Sequence, residues 1–154
     1  MNSGGRTVGR TNIQKATLAV GVVFLLVGVL GFIPGITSNY DSLGFAGHGS
    51  EALLLGIFQV SVLHNIVHLL FGIAGVAMAR SAAASKSYLV VGGAIYLVLW
   101  LYGLFIGHDS AANFVPLNTA DNWLHFILGV AMIGLGLALS RGTATAGRTT
   151  TASR

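Results

Sequence analysis

The stretch Val62–Gly72, "VLHNIVHLLFG", sets two imidazoles and a carboxamide inside an otherwise apolar run. On a helix, His64 and His68 lie one turn apart, and Asn65 lies three residues before His68, so the three share a face. No formal charge interrupts the chain from Ala52 to Ala79. A polar face on a long uncharged helix belongs inside a membrane bundle, turned away from lipid.

The rest of the chain agrees with that reading. Of its 154 residues, 54% are apolar and 8% charged, against about 25% charged in soluble domains. Four uncharged stretches reach spanning length: Ala16–Ile33, Ala52–Ala79, Tyr88–Gly107 and Asn122–Ser140. About 20 helical residues cross the hydrocarbon core of roughly 30 Å. Strand-like alternation is missing, which argues against a barrel. The expected fold is therefore an all-α membrane protein with helices over about 14–33, 53–79, 88–107 and 121–140. Tails 1–13 and 141–154, rich in Gly, Thr, Ala and Arg, are expected to be disordered and cytoplasmic. "GFIPGIT" (Gly31–Thr37) offers no small-x-small cleavage pattern, so the first span is expected to be retained.

Charge sets the orientation. All eight Lys and Arg lie before the first span, between Arg80 and Lys86, or after Ser140. All four acids lie elsewhere: Asp41, Glu51, Asp109 and Asp121. The positive-inside rule then puts both termini and the 80–87 link in the cytoplasm of a plasma-membrane protein. The net charge of +4 comes from cations scattered in tails without interleaved aromatics, so it suits anionic lipid rather than nucleic acid. Cysteine is absent, which removes disulfides, thiolate metal sites and cysteine nucleophiles.

"NIVHLLFG" (Asn65–Gly72) and "NWLHFILG" (Asn122–Gly129) share N-x-x-H-x-x-x-G. The preceding helices also align, "VFLLVGVLGFIPG" (Val23–Gly35) over "IYLVLWLYGLFIG" (Ile95–Gly107). The chain thus reads as two helical hairpins in a parallel repeat about an axis near the membrane normal. The segments "VGVLGFIPGITSNYD", "FQVSVLHNIVHLLFGIAGVAMAR" and "VPLNTADNWLHFILG" resemble a bacterial family of four-span membrane proteins, domain of unknown function 4383. The resemblance covers roughly residues 14–140. It implies a four-helix membrane fold in a bacterial plasma membrane and no assigned activity.

Small residues mark the packing faces. Gly28 and Gly31 on helix 1, Gly72 and Gly75 on helix 2, Gly103 and Gly107 on helix 3, and Gly129 on helix 4 are expected to let backbones approach. These faces should meet in the middle of the bundle. His64 and His125 each lie 16 residues before a cytoplasmic arginine, Arg80 or Arg141, which puts them roughly 24 Å up their helices. The outer half of the bundle therefore collects Ser61, His64, Asn65, His68, Asn122 and His125.

Three roles fit that centre. As helix glue, Asn65, His68, Asn122 and His125 would hydrogen-bond across helices 2 and 4, each bond contributing ~0.6–2 kcal/mol. As a ligand site, His64, His68 and His125 would hold zinc or copper, or His125 with His64 or His68 would hold haem b. As a sensor or transporter, the centre would take a proton, cation or small solute below the four acids, whose own simplest reading is a solvated loop face. The expectation is a structural or accessory membrane component without enzymatic activity or cofactor. No nucleophile–base set, Walker or Rossmann glycine pattern, or HExxH is present. Its partners would be the lipid bilayer, other membrane proteins or a second copy of itself. Asn118 or Thr119 should cap helix 4. Trp123 and Tyr102 suit the outer aromatic belt and Tyr88 the inner one, while Trp100 should pack against a neighbour.

Overall fold

A computed structural model describes residues 9–148, with backbone alone over 141–148. Four helices dominate: α1 Asn12–Leu30, α2 Val62–Met78, α3 Ala82–Phe105 and α4 Thr119–Arg148. Between α1 and α2 lie three two-residue strands, β1 Thr37–Ser38, β2 Leu53–Leu54 and β3 Phe58–Gln59. They form an antiparallel sheet in that order, pairing Thr37 with Leu54 and Leu53 with Gln59.

Local chemistry sets the helix ends. The Thr11 N–H and hydroxyl both donate to Gln14 Oε1, at 2.9 Å each. Gln14 Nε2 in turn donates to the Ala79 carbonyl, tying the start of α1 to the end of α2. Pro34, which cannot continue a helix, and Gly35 at φ +89° follow the end of α1. Ser61 Oγ accepts the His64 N–H at 3.1 Å and opens α2; Ser81 does the same for Ala84 and α3.

Several expected boundaries move. The second helix starts at Val62, not near 53, because 53–61 is spent on β2, β3 and the turn between them. Leu55 and Gly56 adopt positive φ there. An uncharged apolar run cannot distinguish short strands from helix by composition alone. The third helix starts at Ala82, ahead of the expected 88, since Ser81 caps a run of strong helix formers. The fourth continues to Arg148 rather than ending at 140, and a helix nucleated by its packed part extends cheaply. Residues 1–8 and 149–154, including the tail arginines Arg6 and Arg154, lie outside the described residues.

Three helical segments are long and apolar enough to cross a membrane: Asn12–Leu30, Ala82–Phe105 and Thr119–Ser140. The 17-residue α2 is shorter, about 25 Å at the usual rise. All four helices expose large apolar side chains, among them Leu26, Leu70, Val98 and Ile127. In water such faces would be an aggregation liability, whereas lipid solvates them. α1 packs chiefly on α2 and α3 on α4, giving two hairpins.

The glycines explain why those pairs are close. A Cβ on Gly72 would come within 2.8 Å of the Gly21 carbonyl oxygen, and one on Gly93 within 2.8 Å of the Gly129 carbonyl oxygen. These backbone contacts join helices within each hairpin, while at the middle, where the glycine faces were expected to meet, Gly75 and Gly92 face the rings of Tyr88 and Phe71. The middle is aromatic instead: Phe24 stacks on Tyr96 at 5.5 Å, and Phe71 meets both edge-on at 5.1 and 5.5 Å. Backbones that touch leave no room for large rings, so the rings gather between hairpins. Gly107 packs on no helix backbone; among the described residues outside its chain neighbours, a Cβ added there would meet Ser110 alone, at 3.9 Å. Tyr88 is buried with its hydroxyl donating to the Phe71 carbonyl at 3.0 Å, and so leaves the inner belt assigned to it.

Candidate functional site

The first turns of α2 and α4 bring the histidines together beneath the loops. His64 lies 4.5 Å from His68 and 6.4 Å from His125, ring centre to ring centre. Each deeper ring leans on one of the central aromatics: His68 on Phe24 at 5.8 Å and His125 on Tyr96 at 5.1 Å. Their Nδ1 atoms are buried with no hydrogen-bond partner among the described residues.

His64 is spent differently. Its Nδ1 sits 3.1 Å from the Gln59 carbonyl oxygen, to which it donates in the tautomer that carries the proton on this nitrogen. The N–H of the same Gln59 donates to Asp121 Oδ2 at 2.9 Å. The backbone of one β3 residue is thus held from α2 and from α4. Asp121 also accepts the Asn118 N–H at 3.0 Å, while Asn118 Oδ1 accepts the Asp121 N–H at 2.9 Å. This reciprocal pair caps α4 as expected of Asn118. It also buries Asp121 to 2% exposure, correcting its placement on a solvated loop face. Asp41, Glu51 and Asp109 are exposed.

The carboxamides face away from the histidines. Asn65, fully buried, lies directly against Gly31, the cap at the end of α1, and Asn122 lies against Gly103 of α3. In each pair the atom nearest to where the glycine would carry a Cβ is the asparagine Oδ1. A glycine Hα therefore points at a carboxamide oxygen, a weak Cα–H···O contact recurring at both sites. Neither Asn65 polar atom has a conventional partner among the described residues, nor does Asn122 Oδ1. The expected bonds across helices 2 and 4 are not formed, because each asparagine is committed to its own hairpin. Ser61 is buried as a helix cap and stays out of the centre.

Two small cavities flank the histidines. One, of about 120 Å³, lies between α2, α3 and the 114–117 loop; the other, of about 90 Å³, lies towards α1, β2 and α4. All three histidine rings line both. Pockets for drug-sized ligands run to about 300–1,000 Å³, so neither cavity fits a porphyrin. Among the described residues, no three of His, Cys, Asp and Glu are placed to hold a metal ion.

Sequence reading missed Gln59, whose backbone is the shared partner of His64 and Asp121, and the aromatic wall of Phe24 and Tyr96. Gln59 meets His64 and Asp121 through its backbone, and its side chain donates instead to the Ser50 carbonyl at 2.8 Å, so its residue type did not mark it as their partner. The aromatics did leave a signal: Phe24 and Tyr96 occupy matching positions in the aligned first helices of the two hairpins. Trp100 does pack on a neighbour, 4.7 Å from the Phe126 ring.

No curated protein and no solved structure matches the chain. The family model described as "Domain of unknown function (DUF4383)" matches residues 14–138, the whole of the helical region that builds this centre, and the chain belongs to that family.

Proposed function

We propose that the protein is a structural or accessory component of a bacterial plasma membrane. It crosses the bilayer four times with both termini inside, as a bundle of two repeated hairpins. The observation that carries this reading is the doubled asparagine–glycine contact, Asn65 on Gly31 and Asn122 on Gly103. Adding 57 to positions of α2 gives those of α4, and adding 72 to positions of α1 gives those of α3. The same shifts relate His68 to His125, Gly72 to Gly129, Gly21 to Gly93 and Phe24 to Tyr96. Contacts follow the shifts as well as residue types: Leu25 lies on Gly72 as Leu97 lies on Gly129.

The polar groups of the centre are used mostly on the protein itself, as caps, backbone clamps and glycine contacts. That favours a scaffold over an enzyme. The exposed apolar faces suit lipid and leave room for other membrane proteins or a second copy. With α2 short, β2 and β3 would fill the depth above it, carrying exposed Leu55 and Ile57 into the interface.

The test is cysteine labelling in intact cells, helped by the natural absence of cysteine. Ala46, Ala112 and Ala83 are exposed. Cysteine at Ala46 or Ala112 should react with an impermeant reagent from outside, and cysteine at Ala83 only after lysis. External reaction at Ala83 would overturn the orientation.

A further inference from the structure

The larger cavity beside the histidines has a size, an opening and a chemistry that together define a guest. Its volume of about 120 Å³ is close to the roughly 150 Å³ of an apolar cavity that takes benzene. Its walls are aliphatic and aromatic, with the Tyr96 ring on one side. Val67, Leu99 and Phe114 line it while being 41%, 36% and 57% exposed on the outer surface. The cavity therefore opens sideways between α2 and α3, where the membrane reading places lipid.

Polar capacity is concentrated at its floor. His68 and His125 both line it, and His125 is only 5% exposed. Each Nδ1 is sealed in packing without a partner among the described residues. That leaves Nε2 as the nitrogen a guest can reach. An imidazole nitrogen donates or accepts according to tautomer, and a hydroxyl can answer either. A hydroxyl-bearing guest at Nε2 gains a hydrogen bond there that the same ring without the hydroxyl cannot make.

We propose that this cavity binds the head of a membrane-soluble phenol or quinol: one six-membered ring whose hydroxyl hydrogen-bonds His68 or His125. The guest enters laterally from the bilayer. The site goes beyond the scaffold role and shares with it only the membrane placement. Topology labelling tests that placement and ring binding tests the cavity, so the two can fail separately.

The experiment uses the full chain in lipid nanodiscs with 4-fluorophenol as probe, followed by fluorine NMR, with empty nanodiscs subtracted. Fluorobenzene supplies the same ring without the hydroxyl. The expected result is saturable binding of 4-fluorophenol, at least tenfold weaker binding of fluorobenzene, and at least tenfold weaker phenol binding in Val67→Phe. That variant fills the mouth of the cavity from a half-exposed position and leaves every histidine in place, so its fold is checked by an unchanged melting temperature. Absence of saturable phenol binding would overturn the proposal. So would equal affinity for the two rings, or wild-type affinity in folded Val67→Phe.

Discussion

The α1–α2 and α3–α4 hairpins use the same asparagine–glycine contact and differ in what lies above it. Below, the match is close: asparagine on glycine, glycine on glycine, and a histidine leaning on a central aromatic. Above, His64 stands in one hairpin where the 57-residue shift puts Asp121 in the other. The first hairpin is roofed by a small sheet. The second is roofed by a loop pinned by Asn113, whose carboxamide bonds the His108 and Leu117 backbones at 2.9–3.1 Å. The unlike pair His64 and Asp121 then meets the backbone of Gln59 on both sides, the imidazole at its carbonyl oxygen and the carboxylate accepting its N–H. The different residues at this position let the two hairpins hold one shared strand.

The largest effect should come from breaking the common lower contact. Gly31→Leu and Gly103→Leu each drive a side chain into a buried asparagine. Each should cost about 3 kcal/mol, the upper end for overpacking, read as loss of thermal stability in detergent. Gly134→Leu is the control, since nothing lies within 4 Å of a Cβ there. If all three variants melt together, glycine does not hold the hairpins.

Next comes the unlike pair. Asp121→Ala leaves the Gln59 and Asn118 N–H groups unmatched and should cost about 2 kcal/mol, the range for buried unsatisfied donors. Asp121→Asn keeps an acceptor and should lose less. Amide exchange at Gln59 should quicken in the alanine variant; unaltered exchange would mean the carboxylate does not hold β3.

The smallest effect is expected where glue was first sought. His68→Phe and His125→Phe remove no hydrogen bond seen among the described residues, and replacing an unmet polar ring by an apolar one of similar shape is nearly neutral. Each should shift stability by less than about 1 kcal/mol. A loss as large as that of Gly31→Leu would show that the imidazoles bond across the hairpins after all.

What the sequence made legible follows from what its signals encode. Uncharged length announced the helices, and three of the four spans are long enough to cross. The N-x-x-H-x-x-x-G repeat located Asn65, His68, Asn122 and His125 at matching places. It could not say which way each would face. On one helix, residues three apart lie about 60° apart around the axis. That angle sends Asn65 to α1 and leaves His68 in the centre. The β2–β3 turn was hidden because Leu, Ile and Phe serve strand and helix alike when no polar alternation marks the period. Asp121 was hidden because a carboxylate beside a loop is usually solvated, and only the folded loops show that Gln59 covers it.

The double-mutant cycle on the common contact tests the account most directly. Gly31→Ala should be strongly destabilising because its methyl meets the Asn65 carboxamide. Asn65→Ala removes the obstacle, so the double variant should be more stable than the two single losses predict. Gly103→Ala with Asn122→Ala should repeat the result in the second hairpin. A coupling of about 1 kcal/mol or more, of the same sign in both hairpins, is the predicted outcome for residues in direct contact. Simple additivity in either hairpin would contradict the shared asparagine–glycine contact on which the two-hairpin reading stands.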